Sequence, residues 1–414
     1  MPDQFVDARS TTRLGRVEGD LSVGHNATIR AESGGKVSVT GRVSLEGPVT
    51  IDCDFDCQSM RVEGKGFGPS GDIRVNGDLV VEGSADIDAS IKVSGSVRAG
   101  DLDIGGHLVT GQVSTHRLRV GGHLEVRGTL EAEEVDVGGH MTVIDEVKIN
   151  NLRVGGHAKL GGGSITGDIR VRGHFSTTRK LAFGRLQVYG NMVLPAGSAG
   201  EKLSTLGRVE FDGDAFCKEL EVTGSARVRG VLSAESFDLK GNLRALGGPH
   251  VSKRFQVWGS ADVTGPLECE TLGVGGRLVA ESVSATNRTD IGGEVRTSRG
   301  LKSKSVVVGK GSKVTGPIFA MKVEIGSDTD LGSMWGLPWW RGALGRLTTV
   351  EDIHGGDVKI RQHCRVGRVF AKTVELGEGS TAEEIVYTGE VKLPQKYFLT
   401  KPLRRVDSLP EPSW

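Results

Sequence analysis

Apolar and polar residues alternate along this chain in short segments that are separated by glycines. In the segment 120–137, for example, Leu124 and Val126 flank Glu125. An alternation with period two is typical of a β-strand with one buried face. No segment sustains the i, i+3, i+4, i+7 spacing of an amphipathic helix. The pattern therefore predicts an all-β chain with few helices.

An apolar residue followed by Gly-Gly-His recurs in the first half of the chain. The second glycines of this series and of its degenerate continuation are 16, 17, 17, 17 and 17 residues apart, at Gly106, Gly122, Gly139, Gly156, Gly173 and Gly190. A weaker series with steps of 17, 18, 17 and 17 follows at Gly224, Gly241, Gly259, Gly276 and Gly293. A near-constant step of this kind indicates a solenoid.

A repeat of ~17 residues with about three short strands and glycine corners predicts a long, three-sided parallel β-helix, a β-solenoid. Successive coils would stack ~4.8 Å apart, and the stacking itself would supply the stability. At ~17 residues per coil, residues 14–393 would form roughly 22 coils. The narrow interior should hold columns of Val, Ile and Leu, whereas Phe and Trp should mostly be too large.

Breaks in the repeat predict five segments. We expect a flexible N-terminal arm over residues 1–13 and a β-solenoid over residues 14–326. A tryptophan-rich insertion occupies residues 327–347, and the solenoid continues over residues 348–393. The proline-rich tail, residues 394–414, should run extended along the surface or be disordered.

Composition and charge narrow the range of functions. The chain has 52 basic and 52 acidic residues, and it lacks the basic excess expected of a nucleic-acid-binding protein. Zero net charge eases close association of identical copies. Five scattered cysteines without a CxxC motif indicate reduced thiols, and no apolar segment is long enough to cross a bilayer. We therefore expect a cytoplasmic protein.

Several segments resemble the Gly-x-Val-x-Gly-Asp-[Ile/Leu] units of bactofilins, which are polymer-forming cytoskeletal proteins. They are Gly15–Leu21, Gly71–Leu79, Thr166–Val171 and Val314–Ile318. At the level of pattern the resemblance covers most of residues 14–391. It implies a right-handed, three-sided β-helix that polymerises end to end without nucleotide. Because many bactofilins are membrane-associated scaffolds, it also implies client proteins and a membrane surface as partners.

Five histidines follow the corner glycine in successive coils and should form a column: His107, His123, His140, His157 and His174. Such a column could bind Zn²⁺ or another transition metal, or it could respond to pH. Alternatively, it is a structural ladder whose ring nitrogens bond to neighbouring backbone groups. The sequence favours the structural ladder, because Asn191 and Ser225 occupy the equivalent place in other coils. We predict no catalytic, cofactor or metal site.

The insertion contains Trp335, Trp339 and Trp340, followed by Arg341. These residues could fold back on the solenoid, contact a neighbouring subunit or lie at a membrane interface. One apparent ligand motif elsewhere has a simpler explanation. Gly66–Gly71 matches GxGxxG but leads into a strand instead of a helix, so we expect no nucleotide site.

The sequence favours a structural protein that self-assembles into filaments through end-to-end β-helix contacts. We expect Val17 and Leu21, in the N-terminal coil, to take part in these contacts. One alternative is a β-helix binding scaffold that does not polymerise. Another is an enzyme of the hexapeptide acyltransferase or carbonic anhydrase type, although those folds need a strict six-residue repeat. A polysaccharide-binding or polysaccharide-cleaving β-helix is a third.

Overall fold

The computed structural model describes residues 4–32, 35–63, 72–327 and 347–410. Every regular element in this part of the chain is a β-strand, and about 22 turns of solenoid are formed. All recorded strand pairs are parallel, and partner residues are mostly 16 to 18 apart in sequence. The predicted all-β parallel solenoid with a repeat of ~17 residues is thus confirmed.

The chain divides into two compact units, residues 1–201 and residues 202–414. The strands of the first unit are β1 (Gln4–Val6), β2 (Thr11–Leu14), β3 (Arg16–Val17), β4 (Leu21–Val23), β5 (Ala27–Ala31), β6 (Lys36–Glu46), β7 (Val49–Ile51), β8 (Asp54–Glu63), β9 (Ile73–Val75), β10 (Leu79–Ile87), β11 (Ile91–Val93), β12 (Ser96–Ile104), β13 (Leu108–Thr110), β14 (Gln112–Val120), β15 (Leu124–Val126), β16 (Leu130–Val137), β17 (Met141–Val143), β18 (Val147–Val154), β19 (Ala158–Leu160), β20 (Gly163–Val171), β21 (His174–Thr177) and β22 (Leu181–Pro195).

Strand β23 (Ser198–Asp212) begins in the first unit and continues in the second. The remaining strands are β24 (Ala215–Val228), β25 (Leu232–Leu239), β26 (Asn242–Ala245), β27 (His250–Val257), β28 (Ser260–Val263), β29 (Leu267–Val274), β30 (Arg277–Ile291), β31 (Glu294–Gly309), β32 (Lys313–Thr315), β33 (Ile318–Ser327), β34 (Thr348–Val350), β35 (Ile353–Ile360), β36 (Cys364–Leu376), β37 (Thr381–Tyr387), β38 (Val391–Lys392), β39 (Phe398–Leu399) and β40 (Arg404–Arg405).

Each turn of the first unit contributes to three ladders, which makes the solenoid three-sided. Strand β14 illustrates the arrangement, because it bends and supplies two of the three sides. Its first part pairs Val113 with Leu130 of β16, and its second part pairs Leu118 with Val135 of the same strand. The third side is formed by β15, which pairs with β13 and β17. One turn therefore comprises two sides from a bent strand and one side from a three-residue strand.

The second unit repeats this arrangement. Strand β24 pairs with β25 through Ala215 opposite Leu232 and through Leu220 opposite Phe237. Its last part pairs with β26 and belongs to the third ladder. Both units thus bury the alternate residues of every side, as the period-two pattern predicts.

Aliphatic columns fill the interior as expected, but the expected exclusion of phenylalanine is wrong. The largest fully buried side chains include Phe55, Phe175, Phe211, Phe237 and Phe255. Small neighbours make room for some of these rings: Phe175 lies opposite Ala158 of the preceding turn. Others stack on each other, and the ring centroids of Phe237 and Phe255 are 5.0 Å apart. A small residue in the neighbouring turn thus accommodates Phe175, and ring contact accommodates Phe237 and Phe255.

The glycine columns have a steric origin. A Cβ atom on Gly139 would lie 2.5 Å from the carbonyl oxygen of Gly122 in the preceding turn, and one on Gly122 would lie 2.7 Å from the carbonyl oxygen of Gly106. Real Cβ atoms do not approach a backbone oxygen so closely. In the second unit, a Cβ on Gly259 would overlap the carbonyl oxygen of Gly241 in the same way. At these positions, only glycine lets the corners of successive turns stack at the spacing of the strands.

The terminal segments extend the solenoid beyond the predicted limits. Instead of a flexible arm, residues 4–13 contain β1 and most of β2, and these strands pair with β4 and β5. In the proline-rich tail, β39 pairs with β37 through Phe398 opposite Thr381, and β40 pairs with the same strand. The paired ends show that short, largely exposed segments can still complete a turn.

Candidate functional site

The histidine column lies at the corner between two sides of the first unit. In the first four of these turns, a strand of the β14 type ends, two glycines form the bend, and a strand of the β15 type begins at the residue after the histidine. In the fifth turn, Arg172 and Gly173 form the bend and β21 begins at His174 itself. Leu124 points into the core because it is fully buried, so the neighbouring His123 points outward. His107, His140 and His157 are exposed in the same way, and His174 is half-buried.

The imidazole rings form a continuous column, in which the rings from His123 to His157 are stacked and those of His107 and His123 are inclined by 53°. The ring centroids of His107 and His123 are 4.7 Å apart, and those of His123 and His140 are 4.8 Å apart. His140 and His157 are also 4.8 Å apart, with rings inclined by 7°. The stack loosens at His174, whose ring is 6.2 Å from that of His157 and tilted by 41°. The column that the sequence predicts is therefore present.

The ring nitrogens form few bonds to the backbone. Nδ1 of His107 accepts a hydrogen bond of 2.8 Å from the backbone N–H of His123, and the Nδ1 atoms of these two residues are 3.1 Å apart. Over the described residues, no bond is recorded for the ring nitrogens of His140, His157 and His174. In the described column, only one ring nitrogen, Nδ1 of His107, thus forms the backbone hydrogen bond that the structural ladder favoured by the sequence requires. Within the same residues, no group of three or more His, Cys, Asp or Glu side chains could hold one metal ion.

A shallow hollow of about 230 Å³ lies on the neighbouring side of the first unit. Its walls carry charges of both signs, including Arg117, Glu134, Asp168 and Arg170. These charges are paired: Arg117 Nε is 3.3 Å from Glu134 Oε2, and Arg170 is 3.5 Å from Asp168. The hollow therefore offers no uniform charge to an ionic ligand, and we assign no ligand to it.

The two aliphatic residues predicted to form end contacts are buried. Val17 is 3 % exposed in β3, and Leu21 is 0 % exposed in β4, which belongs to the second turn. Leu21 faces the core of the solenoid, so its side chain cannot touch another molecule while the turn is intact. Two other predicted features lie outside the described residues. They are the GxGxxG segment and the tryptophan-rich contact residues, namely Gly66–Gly71, Trp335, Trp339, Trp340 and Arg341.

The described ends of the chain instead offer backbone edges. Strands β1, β2 and β3 are each paired on one side only in the described part of the chain. The same holds for β38, β39 and β40. Unpaired strand edges are templates for pairing with another chain. The sequence analysis also predicted contacts at the N-terminal end of the solenoid. It assigned them to the side chains of Val17 and Leu21 instead of to backbone groups.

Carboxylates at the bends form a second repeated feature, which the sequence analysis missed. Oδ1 of Asp78 accepts a 2.6 Å hydrogen bond from the backbone N–H of Ser96, one turn later. Oδ1 of Asp54 accepts from the N–H of Asp78 in the same way, at 2.8 Å. Equivalent bonds run from the N–H of Arg42 to Asp20, of Asp168 to Asn151, of Val231 to Asp214 and of Arg368 to Asp352. The signal was available, because every residue that donates this bond directly follows a glycine.

The five cysteines are buried thiols that form no disulfide bond in the described residues. Burial raises the pKa of Cys57, Cys217 and Cys269 to about 12. A thiol with such a pKa holds almost no thiolate at neutral pH, and thiolate is the reactive form. The cysteines therefore belong to the core packing.

These features define the chain as a parallel β-solenoid repeat protein with three-sided turns. No family model matches the chain, and no match was found among curated proteins or among solved structures. The described residues contain no helix long and apolar enough to cross a membrane.

Proposed function

We propose that this chain is a structural protein that assembles with copies of itself, without nucleotide, through contacts between its terminal turns. The assembled solenoids would present their flat sides as a scaffold for client proteins. The observation that carries the proposal is the set of six terminal strands, β1–β3 and β38–β40, that are paired on one side only in the described residues.

The first turn exposes a definite set of backbone groups. The carbonyl oxygens of Ser10 and Leu14 accept bonds from the N–H groups of Thr28 and Glu32 in the next turn. Because backbone groups alternate in direction along a strand, the N–H of Arg13 points to the opposite edge, which is unpaired within the described residues. An added strand could pair there without disturbing any bond within the first turn.

The last described turn is open in a different way. Phe398 of β39 is 64 % exposed, and both arginines of β40 are exposed. Lys401 reaches back to the previous turn, where its N–H donates to the carbonyl oxygen of Glu383. This turn thus has one bonded edge and one free edge, and its apolar side chains gain burial if another turn covers them.

The charge distribution supports close approach of copies. Basic and acidic residues are equal in number, and many pair between successive turns. Lys148 Nζ is 2.7 Å from Glu131 Oε1, and Lys253 Nζ is 2.7 Å from Glu235 Oε2. A surface whose charges are already paired produces little long-range repulsion between identical molecules.

We also propose a reducing, cytoplasmic location, with a membrane surface as a further partner of the assembled protein. The five cysteines, all buried thiols, support the reducing compartment, since disulfides are rare there. The proposal of a membrane partner rests on Trp335, Trp339 and Trp340 in the sequence alone. Liposome co-sedimentation of the native chain and of the double variant Trp339→Ala/Trp340→Ala tests it.

Negative-stain electron microscopy of the purified chain without nucleotide tests self-assembly. We expect filaments whose number increases with protein concentration. Discrete particles at every concentration would instead favour a binding scaffold that does not polymerise. An enzyme of the hexapeptide type would likewise give discrete particles.

A matched pair of variants tests the N-terminal edge. Arg13→Pro removes the outward N–H of β2, whereas Arg13→Ala removes the same charged side chain and keeps the N–H. We expect filaments to be lost in the proline variant and kept in the alanine variant, with unchanged β-type circular dichroism in both. Filaments of normal length from the proline variant would exclude the edge of β2 from the contact.

A further inference from the structure

We propose that the histidine column binds divalent transition-metal ions, each chelated by two imidazoles on neighbouring turns. The column comprises His107, His123, His140, His157 and His174. The inference does not depend on self-assembly, because it concerns a corner of the first unit that lies along the side of the solenoid.

The spacing of the rings suits pairwise chelation. Two histidines one helical turn apart have Cβ atoms about 5–6 Å from each other, and such pairs hold one zinc ion in metalloproteases. In the column, the ring centroids of the first four histidines are 4.7–4.8 Å apart, so each imidazole has a neighbour within reach of a shared ion. Two nitrogens bound to one ion at ~2.0–2.1 Å lie roughly 3 Å apart. Neighbouring rings, whose centroids are 4.8 Å apart along the middle of the column, therefore need to tilt toward each other to bring two nitrogens to this separation.

The rings are also available to a ligand. Four of the five histidines are exposed. Among His123, His140 and His157, only His123 has a ring nitrogen with a recorded bond in the described residues. Exposed side chains can tilt toward each other, so parallel rings can converge on an ion. The bond that His107 Nδ1 accepts from the backbone of His123 competes with a metal ion at that atom, which leaves Nε2 for coordination.

The surroundings indicate where the ions bind and which ions they are. Arg172 replaces the first corner glycine beside His174, and its charge disfavours a cation at that end. The gap to His174 is also the widest in the column. The best chelating pairs are therefore the three formed by neighbouring histidines from His107 to His157. Imidazole suits Cu²⁺, Ni²⁺ and Zn²⁺, and water completes the coordination because no third ligating side chain converges in the described part of the chain.

Two double variants of the untagged chain test the proposal with equal histidine content. His123→Asn/His157→Asn leaves three histidines but no two on neighbouring turns. His107→Asn/His174→Asn also leaves three, and these three are contiguous. Asparagine is the matched replacement, because Asn191 occupies the equivalent place in a later turn and pairs with His174. The probes are NiCl₂ and CuCl₂, titrated calorimetrically into each protein.

We expect the native chain and His107→Asn/His174→Asn to bind with affinities within about twofold of each other. We expect His123→Asn/His157→Asn to bind at least about tenfold more weakly, since chelation by a second ligand is lost. Electron paramagnetic resonance of the Cu²⁺ complex should show two coordinated nitrogens in the first two proteins and one in the third. Equal affinities in the two double variants, equal losses in both, or no binding by the native chain would overturn the proposal.

Discussion

Single side chains at the bends determine how one turn is held to the next. Asp78 takes part in two hydrogen bonds between turns. Its N–H donates to the carboxylate of Asp54, and its own carboxylate accepts from the N–H of Ser96. The donor is preceded by Gly95, where a Cβ would overlap Oδ1 of Asp78. The Gly-Asp step of the repeat is therefore a linked pair, in which the glycine makes room for the carboxylate of the preceding turn.

Removing this carboxylate should weaken the first unit. We expect Asp78→Ala to lower the free energy of unfolding by about 1 kcal/mol, because the N–H of Ser96 loses its acceptor. Asp78→Asn should retain most of the stability, since the amide oxygen is still an acceptor, as Asn151 shows for Asp168. Urea denaturation followed by circular dichroism measures the difference.

The control is Asp101→Ala, which removes an exposed carboxylate with no recorded bond among the described residues. We expect its stability to stay within about 0.5 kcal/mol of the native chain. An equal loss in the variants of Asp78 and Asp101 would show that the bond between turns contributes nothing specific.

At the scale of the element, the corners restrict the sequence more than the strands do. Strand positions accept Val, Leu, Ile, Met, Ala or Phe, provided that the volumes of neighbouring turns match. Most corner positions in the Gly-Gly-His turns leave no room for a Cβ, because the carbonyl oxygen of the preceding corner occupies that space. The strand ladders therefore set the distance between successive turns, and the corners must fit within it.

Two glycines from different Gly-Gly-His corners should respond differently to replacement by alanine. Gly139→Ala should destabilise the first unit by about 1–3 kcal/mol, because the new Cβ would lie 2.5 Å from the oxygen of Gly122. Gly105→Ala, in the first corner of the series, is the control, since its Cβ would meet no atom closer than 3.6 Å. Thermal unfolding measures both, and similar midpoints for the two variants would contradict the steric explanation.

The sequence predicts the features that repeat and fails where a feature depends on one particular neighbour. The regular step of the glycines gave the fold, the size of the turn and the histidine column. The interior place of Phe175 could not be predicted, because it depends on Ala158 lying opposite in the preceding turn. The place of Leu21 in the second turn was missed because β1–β3 precede the first clear repeat. Short, irregular strands carry too little pattern to be distinguished from a flexible arm.

At the scale of the whole molecule, each turn depends mainly on the turns directly before and after it. The recorded strand pairs join neighbouring turns, so a turn at a described end has half the contacts of an inner one. Stability in such proteins is approximately a sum over neighbouring repeats. The described ends should therefore open first.

Hydrogen exchange should show this gradient. Below the concentration of assembly, we expect amides of β38–β40 to exchange much faster than those of β14–β18, because they have few buried contacts and one free edge. Under assembling conditions, exchange in β1–β3 and β38–β40 should slow, whereas β14–β18 should change little. Mass spectrometry of peptic peptides measures both states, and equal protection along the chain would contradict nearest-neighbour stability.

The constant offset between paired residues has a consequence for how such a chain can change. Excising residues 124–140 would join His123 directly to Met141, and Met141 would then take the place of Leu124 opposite Leu108. A carboxylate, a glycine or a histidine elsewhere would keep its original neighbours. Whole turns can thus be gained or lost by duplication or deletion of one period, which makes the number of turns a trait that selection can adjust independently of the fold.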